Sequence, residues 1–163
     1  MSTRVYIETT IPSFYYTQRS DAESVARQNW TRRWWDEYAG RFQLLTSPAV
    51  IAELRRGPSE STTLRLQLVS GLELLEITDE VERMTAIYID RMVMPRDPAG
   101  DALHLALASF YAVDVMLTWN CRHLANPNKL EHVRLINREM GLATPILTTP
   151  LNYLSGDEDD DGN

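Results

Sequence analysis

Asp101–His123, DALHLALASFYAVDVMLTWNCRH, is the stretch whose reading decides the fold. It follows Pro98, Ala99 and Gly100, poor helix material, and switches at once to a helical pattern. Leu103, Leu107 and Phe110, with Ala106 between them, recur at the three- and four-residue spacing of one buried helix face. After Tyr111 comes a short β-type run, Val113 to Trp119, broken by Asp114 near its start. A helix feeding a short apolar strand is half of an α/β unit. Polar groups mark its two ends, Asp101 where the helix starts and Asn120 just past the strand. Sites in open parallel sheets form beyond the carboxyl ends of strands. Asn120 is therefore where chemistry is to be sought. Asp101 and His104 are three residues apart and share a helical face.

Working outward, the same alternation continues to both ends. Arg4 to Glu8 predicts a short strand, and Pro12 suits the first turn of a helix through Tyr16. A long helix is predicted from Asp21 to Tyr38, capped by Asp21 or Ser20. Its Trp30, Trp34 and Trp35 favour core packing over nucleic-acid stacking, with Arg27, Arg32 and Arg33 as a basic flank. Phe42 to Thr46 makes a second strand, and Ser47-Pro48 opens a helix that carries Val50, Ile51 and Leu54 inward, contains Glu53 and breaks at Gly57-Pro58. A helix over Ser61 to Val69 leads to a third strand, Leu72 to Ile77, and Thr78 begins a helix to about Val93. Beyond the central unit lie a helix from Pro127 toward Met140, a last strand at Pro145 to Thr148 and a brief helix from Thr149-Pro150. No internal repeat is present. The expected architecture is a parallel central sheet covered by helices on both faces.

A chain of 163 residues, 44% apolar, makes one domain with a sizeable core. No apolar run approaches the ~20 residues of a membrane span, and MSTRVYIETT lacks the apolar segment of a signal peptide. The lone Cys121 cannot make an intramolecular disulfide, which fits a reducing cytoplasm. The net charge of −7 includes five acidic residues in the terminal SGDEDDDGN, so the remainder is close to neutral. That tail, 155–163, is expected to be disordered, leaving 1–154 as the domain. Of 16 basic residues only Lys129 is lysine. Arginine suits bidentate phosphate contacts, but genomic base composition is the favoured explanation of such a bias.

The motifs exclude several chemistries. Neither GxGxxG nor GxxxxGKS is present, nor a Cys/His set at zinc spacing, nor the GxSxG nucleophile elbow. What remains are Glu8 at the end of the first strand, Glu53 in the helix after the second, Asp101 opening the helix before the fourth, and Asn120 after that strand. Each has a plain structural alternative. Glu8 is then a solvated strand-end carboxylate, Glu53 a partner of Arg56, Asp101 a helix cap and His104 a hydrogen-bonded structural histidine. Their joint placement carries more weight, because a doubly wound fold brings these elements to one rim.

VYIETT, VIAEL, DALHLALA and MLTWNCRHLAN resemble, in order, the four acidic motifs of PIN-domain ribonucleases, particularly VapC-type toxins of toxin–antitoxin pairs. PILTTPLNYL is similar to the end of that domain, so the resemblance spans roughly residues 4 to 154. It implies a three-layer α/β/α domain and a metal-dependent endoribonuclease, with Glu8, Glu53, Asp101 and Asn120 binding Mg²⁺ or Mn²⁺. It also implies an RNA substrate, a cognate antitoxin and a homodimer. Two positions depart from the pattern: Glu8 stands where Asp is typical, and Asn120 replaces a usual Asp. Three carboxylates remain, enough for one divalent ion through oxygen ligands and waters. The rival expectation is a non-catalytic PIN-like module binding RNA or protein through a degenerate site.

Overall fold

The computed structural model describes residues 2–57, 60–91, 94 and 100–158. Five strands, β1 (Arg4–Ile7), β2 (Gln43–Thr46), β3 (Glu73–Leu74), β4 (Val115–Leu117) and β5 (Ile146–Thr148), form one sheet. Its order is β3-β2-β1-β4-β5, and every pairing is parallel. The helices are α1 (Thr10–Tyr15), α2 (Ala22–Glu37), α3 (Pro48–Arg56), α4 (Thr62–Val69), α5 (Asp79–Asp90), α6 (Asp101–Phe110), α7 (Pro127–Glu139) and α8 (Pro150–Glu158), with a 3₁₀ turn at Ala39–Arg41. α1 packs on α2 and α4, and α8 on α2, while α5 packs on α6. The result is the expected three-layer α/β/α sandwich.

The central unit sits where its hydrophobicity puts it. All of Ala102 to Ser109 is buried in α6, and Val115, Met116 and Leu117 are buried in β4. A strand apolar on both faces belongs in the middle of a parallel sheet, and β4 lies between β1 and β5. Asp114, expected to interrupt the strand, lies outside it and accepts the Arg4 backbone N–H at 2.8 Å. α2 begins as expected, with the Asp21 carboxylate accepting from the Ser24 N–H.

The strands are shorter than the apolar runs that announced them. The third is expected over Leu72 to Ile77 but reduces to Glu73–Leu74. It is an edge strand paired only with β2, so residues without a second neighbour leave the ladder after Leu75 donates to Thr46 O. The helix expected to reach Val93 ends at Asp90; positions 92 and 93 lie outside the described residues. α8 carries the backbone to Glu158, past the expected domain boundary, and residues 159–163 of the tail lie outside the described residues. Among the described residues no helix is long and apolar enough to cross a membrane.

Candidate metal centre

The strand order reverses between β1 and β4: from β1 the chain builds outward to β2 and β3, then returns to β4 on the other side. Such a switch point leaves a crevice at the carboxyl ends of the two strands. Glu8 follows β1 there, its N–H donating to Leu117 O at 3.2 Å, and Asn120 follows β4. α3 brings Glu53 from the end of β2, and the first turn of α6 brings Asp101 and His104.

Glu8 is 3% exposed. Its Oε2 accepts the Thr10 N–H at 3.0 Å, the Thr10 hydroxyl at 2.5 Å and the Thr118 hydroxyl at 2.8 Å. These donors fix the carboxylate but do not replace water fully. Burial pushes its pKa up, against the pull of His104 and the three hydrogen bonds. The donors are themselves held. Thr10 Oγ1 accepts the Trp119 N–H at 2.8 Å, and Thr118 Oγ1 accepts the Asn120 N–H at 3.0 Å. Trp119 is anchored in turn by its indole N–H on Thr31 of α2, at 2.7 Å.

His104 is the hub of the cluster. It is buried, with Nε2 2.6 Å from Glu53 Oε1 and Nδ1 2.7 Å from the Tyr6 hydroxyl. Tyr6 also meets Ser47 Oγ at 2.7 Å. Burial opposes charge on the imidazole, but the Glu53 bond and the charges of Glu8, Glu53 and Asp101 outweigh it and raise the pKa. Burial would likewise raise Glu53; the His104 bond and charge, with Thr9 and Arg56 behind them, bring it below the usual range. Glu53 thus turns to His104 rather than forming the surface pair with Arg56.

Asp101 is the first residue of α6, and Gly100 occupies the cap position. Its Oδ1 accepts from Asn120 Nδ2 at 2.8 Å, so it is tied to the loop after β4. Burial pushes its pKa up and the Glu53 charge adds to this, against His123, His104 and Asn120. The other end of the Asn120 amide is engaged as well, Oδ1 accepting the His123 N–H at 3.0 Å. His123 Nδ1 lies 3.1 Å from the Lys129 ammonium.

All four sequence-singled positions therefore stand around one crevice, but not as four equal ligands. Glu8, Glu53 and His104 each offer a ligand atom, all within 4.8 Å of one another. Asp101 belongs to the same electrostatic cluster but is engaged by Asn120. The donor set, carboxylate oxygens and an imidazole, fits a divalent ion, and among the described residues His104 is the one cationic group that acts on the buried Glu8. Sequence reasoning missed Thr10, Tyr6 and Ser47, which read as ordinary strand and loop residues. The basic flank has other work, for Arg27 lies over the Phe14 and Trp119 rings at 5.4 and 5.2 Å, and Arg32 over Tyr15 at 5.2 Å.

No family model and no curated protein matches the chain. Solved structures do. The VapBC2 complex of Rickettsia felis, bound to a DNA fragment from its promoter, matches with a TM-score of 0.57 at 13% identity, covering 90% of this chain and 98% of the other. FitAcB of Neisseria gonorrhoeae matches with a TM-score of 0.49 at 18% identity, covering 72% and 88%. At 13% identity the first likeness is one of backbone path, and that path is the PIN-like α/β/α fold.

Proposed function

We propose that this protein is a metal-dependent endoribonuclease, the toxin of a toxin–antitoxin pair. One observation carries the reading: Glu8 and Glu53, from segments far apart in sequence, bring ligand atoms within 4.8 Å of one another and of His104 at the topological switch point, and Asp101 interacts electrostatically with Glu53 and His104. His104 offsets the burial of Glu53, while Glu8 and Asp101 keep raised pKa values chiefly through burial, a cost that a bound divalent cation would relieve. Glu8, Glu53 and Asp101 would hold Mg²⁺ or Mn²⁺, with the Asn120 carbonyl beside them. When bound, the ion supplies a water of lowered pKa and neutralises charge on a phosphodiester.

The chain's own groups do the rest. Thr10 and Thr118 fix Glu8, His104 fixes Glu53, and Asn120 fixes Asp101. Lys129, beside His123, brings positive charge toward a polyanion that the carboxylates alone would repel. The likeness to the VapBC2 complex of R. felis supports a cognate antitoxin as partner; a second copy of the chain is the other partner in this reading.

A second reading, a non-catalytic PIN-like binding module, is favoured by Asn120, whose amide is spent at both ends on Asp101 and His123. Mn²⁺ calorimetry combined with cleavage of single-stranded RNA separates the two. Wild-type protein is expected to bind Mn²⁺ and cut slowly. Asp101→Asn should bind at least roughly tenfold more weakly, about 1.4 kcal/mol, and lose cleavage. Asn120→Asp should bind Mn²⁺ more tightly. Equal trace cleavage by wild type and Asp101→Asn, with activity gained only in Asn120→Asp, would establish the binding module.

A further inference from the structure

We propose that His104 is itself a metal ligand, its Nε2 joining the carboxylates of Glu8 and Glu53 so that the centre prefers Mn²⁺ to Mg²⁺. The inference rests on the reading that this crevice holds a divalent ion, and names which atoms hold it.

Three observations lead to it. The first is distance: ligand atoms of Glu8, Glu53 and His104 lie within 4.8 Å of one another. Metal–oxygen and metal–nitrogen bonds of about 2.0–2.2 Å span nearly that separation. The second is the far side of the ring. Metal-bound histidines donate their other ring N–H to a fixed acceptor, which sets the tautomer. Tyr6 is placed for this, 2.7 Å from Nδ1, and its own hydroxyl proton has an acceptor in Ser47 Oγ at 2.7 Å. With Nδ1–H donated to Tyr6 and Tyr6 O–H donated to Ser47, the Nε2 lone pair faces the carboxylates. Nε2 itself lies 2.6 Å from Glu53 Oε1, so the ring nitrogen and the carboxylate oxygen already face one another.

The third observation is the engagement of Asn120. Its carbonyl oxygen is occupied by the His123 N–H and its NH₂ by Asp101. Asn120 is thereby fixed as part of the loop after β4, whereas the ligand atoms brought within 4.8 Å of one another are those of Glu8, Glu53 and His104. Imidazole nitrogen suits first-row transition ions, whereas Mg²⁺ demands hard oxygen ligands and near-ideal octahedral geometry. A nitrogen in the set therefore shifts preference toward Mn²⁺.

Pulsed electron paramagnetic resonance on the full-length protein loaded with Mn²⁺ tests this without reference to activity. The chain has three histidines, so His123→Gln/His132→Gln leaves His104 as the sole imidazole. That variant is expected to show ¹⁴N modulation of the Mn²⁺ signal, converted to the ¹⁵N pattern by ¹⁵N-histidine labelling. His104→Gln should lose the modulation, and its Mn²⁺ affinity relative to Mg²⁺ should fall tenfold or more. Should His104→Gln fail to fold, the double variant decides alone. Mn²⁺ bound without nitrogen modulation in the double variant overturns the ligand assignment and leaves the nuclease reading intact. No Mn²⁺ binding by the wild type at millimolar concentration overturns both.

Discussion

Glu8 is a carboxylate that the fold buries before anything neutralises it. Its folded-state pKa is raised, chiefly by loss of water, so the folded protein holds this proton more tightly than the unfolded chain does. The sign follows from linkage: the stabilisation from protonated Glu8 is complete below the ordinary glutamate pKa and disappears as pH rises through the raised value. Glu8→Gln keeps an acceptor for Thr10 and Thr118 and removes the charge. In chelator at pH 7 it is expected to melt a few degrees above wild type, since about 1 kcal/mol moves Tm by ~2–4 °C in a domain of this size. The gap should close near about pH 4, where glutamate protonates. A gap equal at both pH values would show that hydrogen-bond geometry, not charge, is responsible. The positions of Glu8 and Asp101 were legible because strand ends and helix starts can be read from apolar patterning, and Glu53 because it interrupts the apolar face of the helix after the second strand. What each side chain touches was not. That His104 joins Tyr6 to Glu53 depends on which strand neighbours which, and no spacing within one segment encodes that.

At the scale of elements, the join between α6 and β4 carries a local misfit. Ala112 has φ +52°, the left-handed region. It closes the helix, its N–H donating to Ser109 O at 3.2 Å while Val113 N–H donates to Ala108 O at 3.0 Å. Glycine is the residue that this type of helix end selects. A left-handed conformation costs an L-residue about 1–2 kcal/mol, against the roughly 0.5–1 kcal/mol of chain entropy that glycine loses on folding. Ala112 is exposed, so no packing is lost. Ala112→Gly is therefore expected to stabilise by about 0.5–1 kcal/mol, read as a higher urea midpoint at unchanged slope. A destabilised variant would mean that the alanine methyl group contributes contacts at the turn. Here the sequence misled in a small way: FYAVDV reads as helix running into strand, because alanine announces no turn. Third-strand length was illegible for a related reason, since LELLEI has the same apolar content whether its ladder is two residues or six.

For the whole molecule, alternation of strand and helix made the parallel sheet legible, while the strand order became visible only in the fold. That order places β1 at the centre, flanked by β2 and β4, which is why segments as distant as Glu8, Glu53 and Asp101 share a crevice. The last helix secures this arrangement from behind. Tyr153 of α8 lies 6.1 Å from the Trp34 ring and 5.6 Å from Phe42, and Trp34 stacks on Phe42 at 5.8 Å. Leu154 is 2% exposed, and Asn152 Nδ2 donates to Thr148 Oγ1 at 3.0 Å, tying α8 to the end of β5. Ending the chain after Thr149 removes Tyr153 and Leu154 and opens the face of Trp34 that they cover. Two large apolar side chains amount to about 3–6 kcal/mol of burial, so Tm should fall by on the order of 10 °C or more. Ending it after Leu154 keeps both anchors and removes SGDEDDDGN, the last four residues of α8 with the segment after them, which has no apolar side chain and five like charges. Thermal melts of that shorter truncation should coincide with wild type to about a degree, and a loss comparable to the first truncation would show that the acidic segment contributes to the stability of the fold.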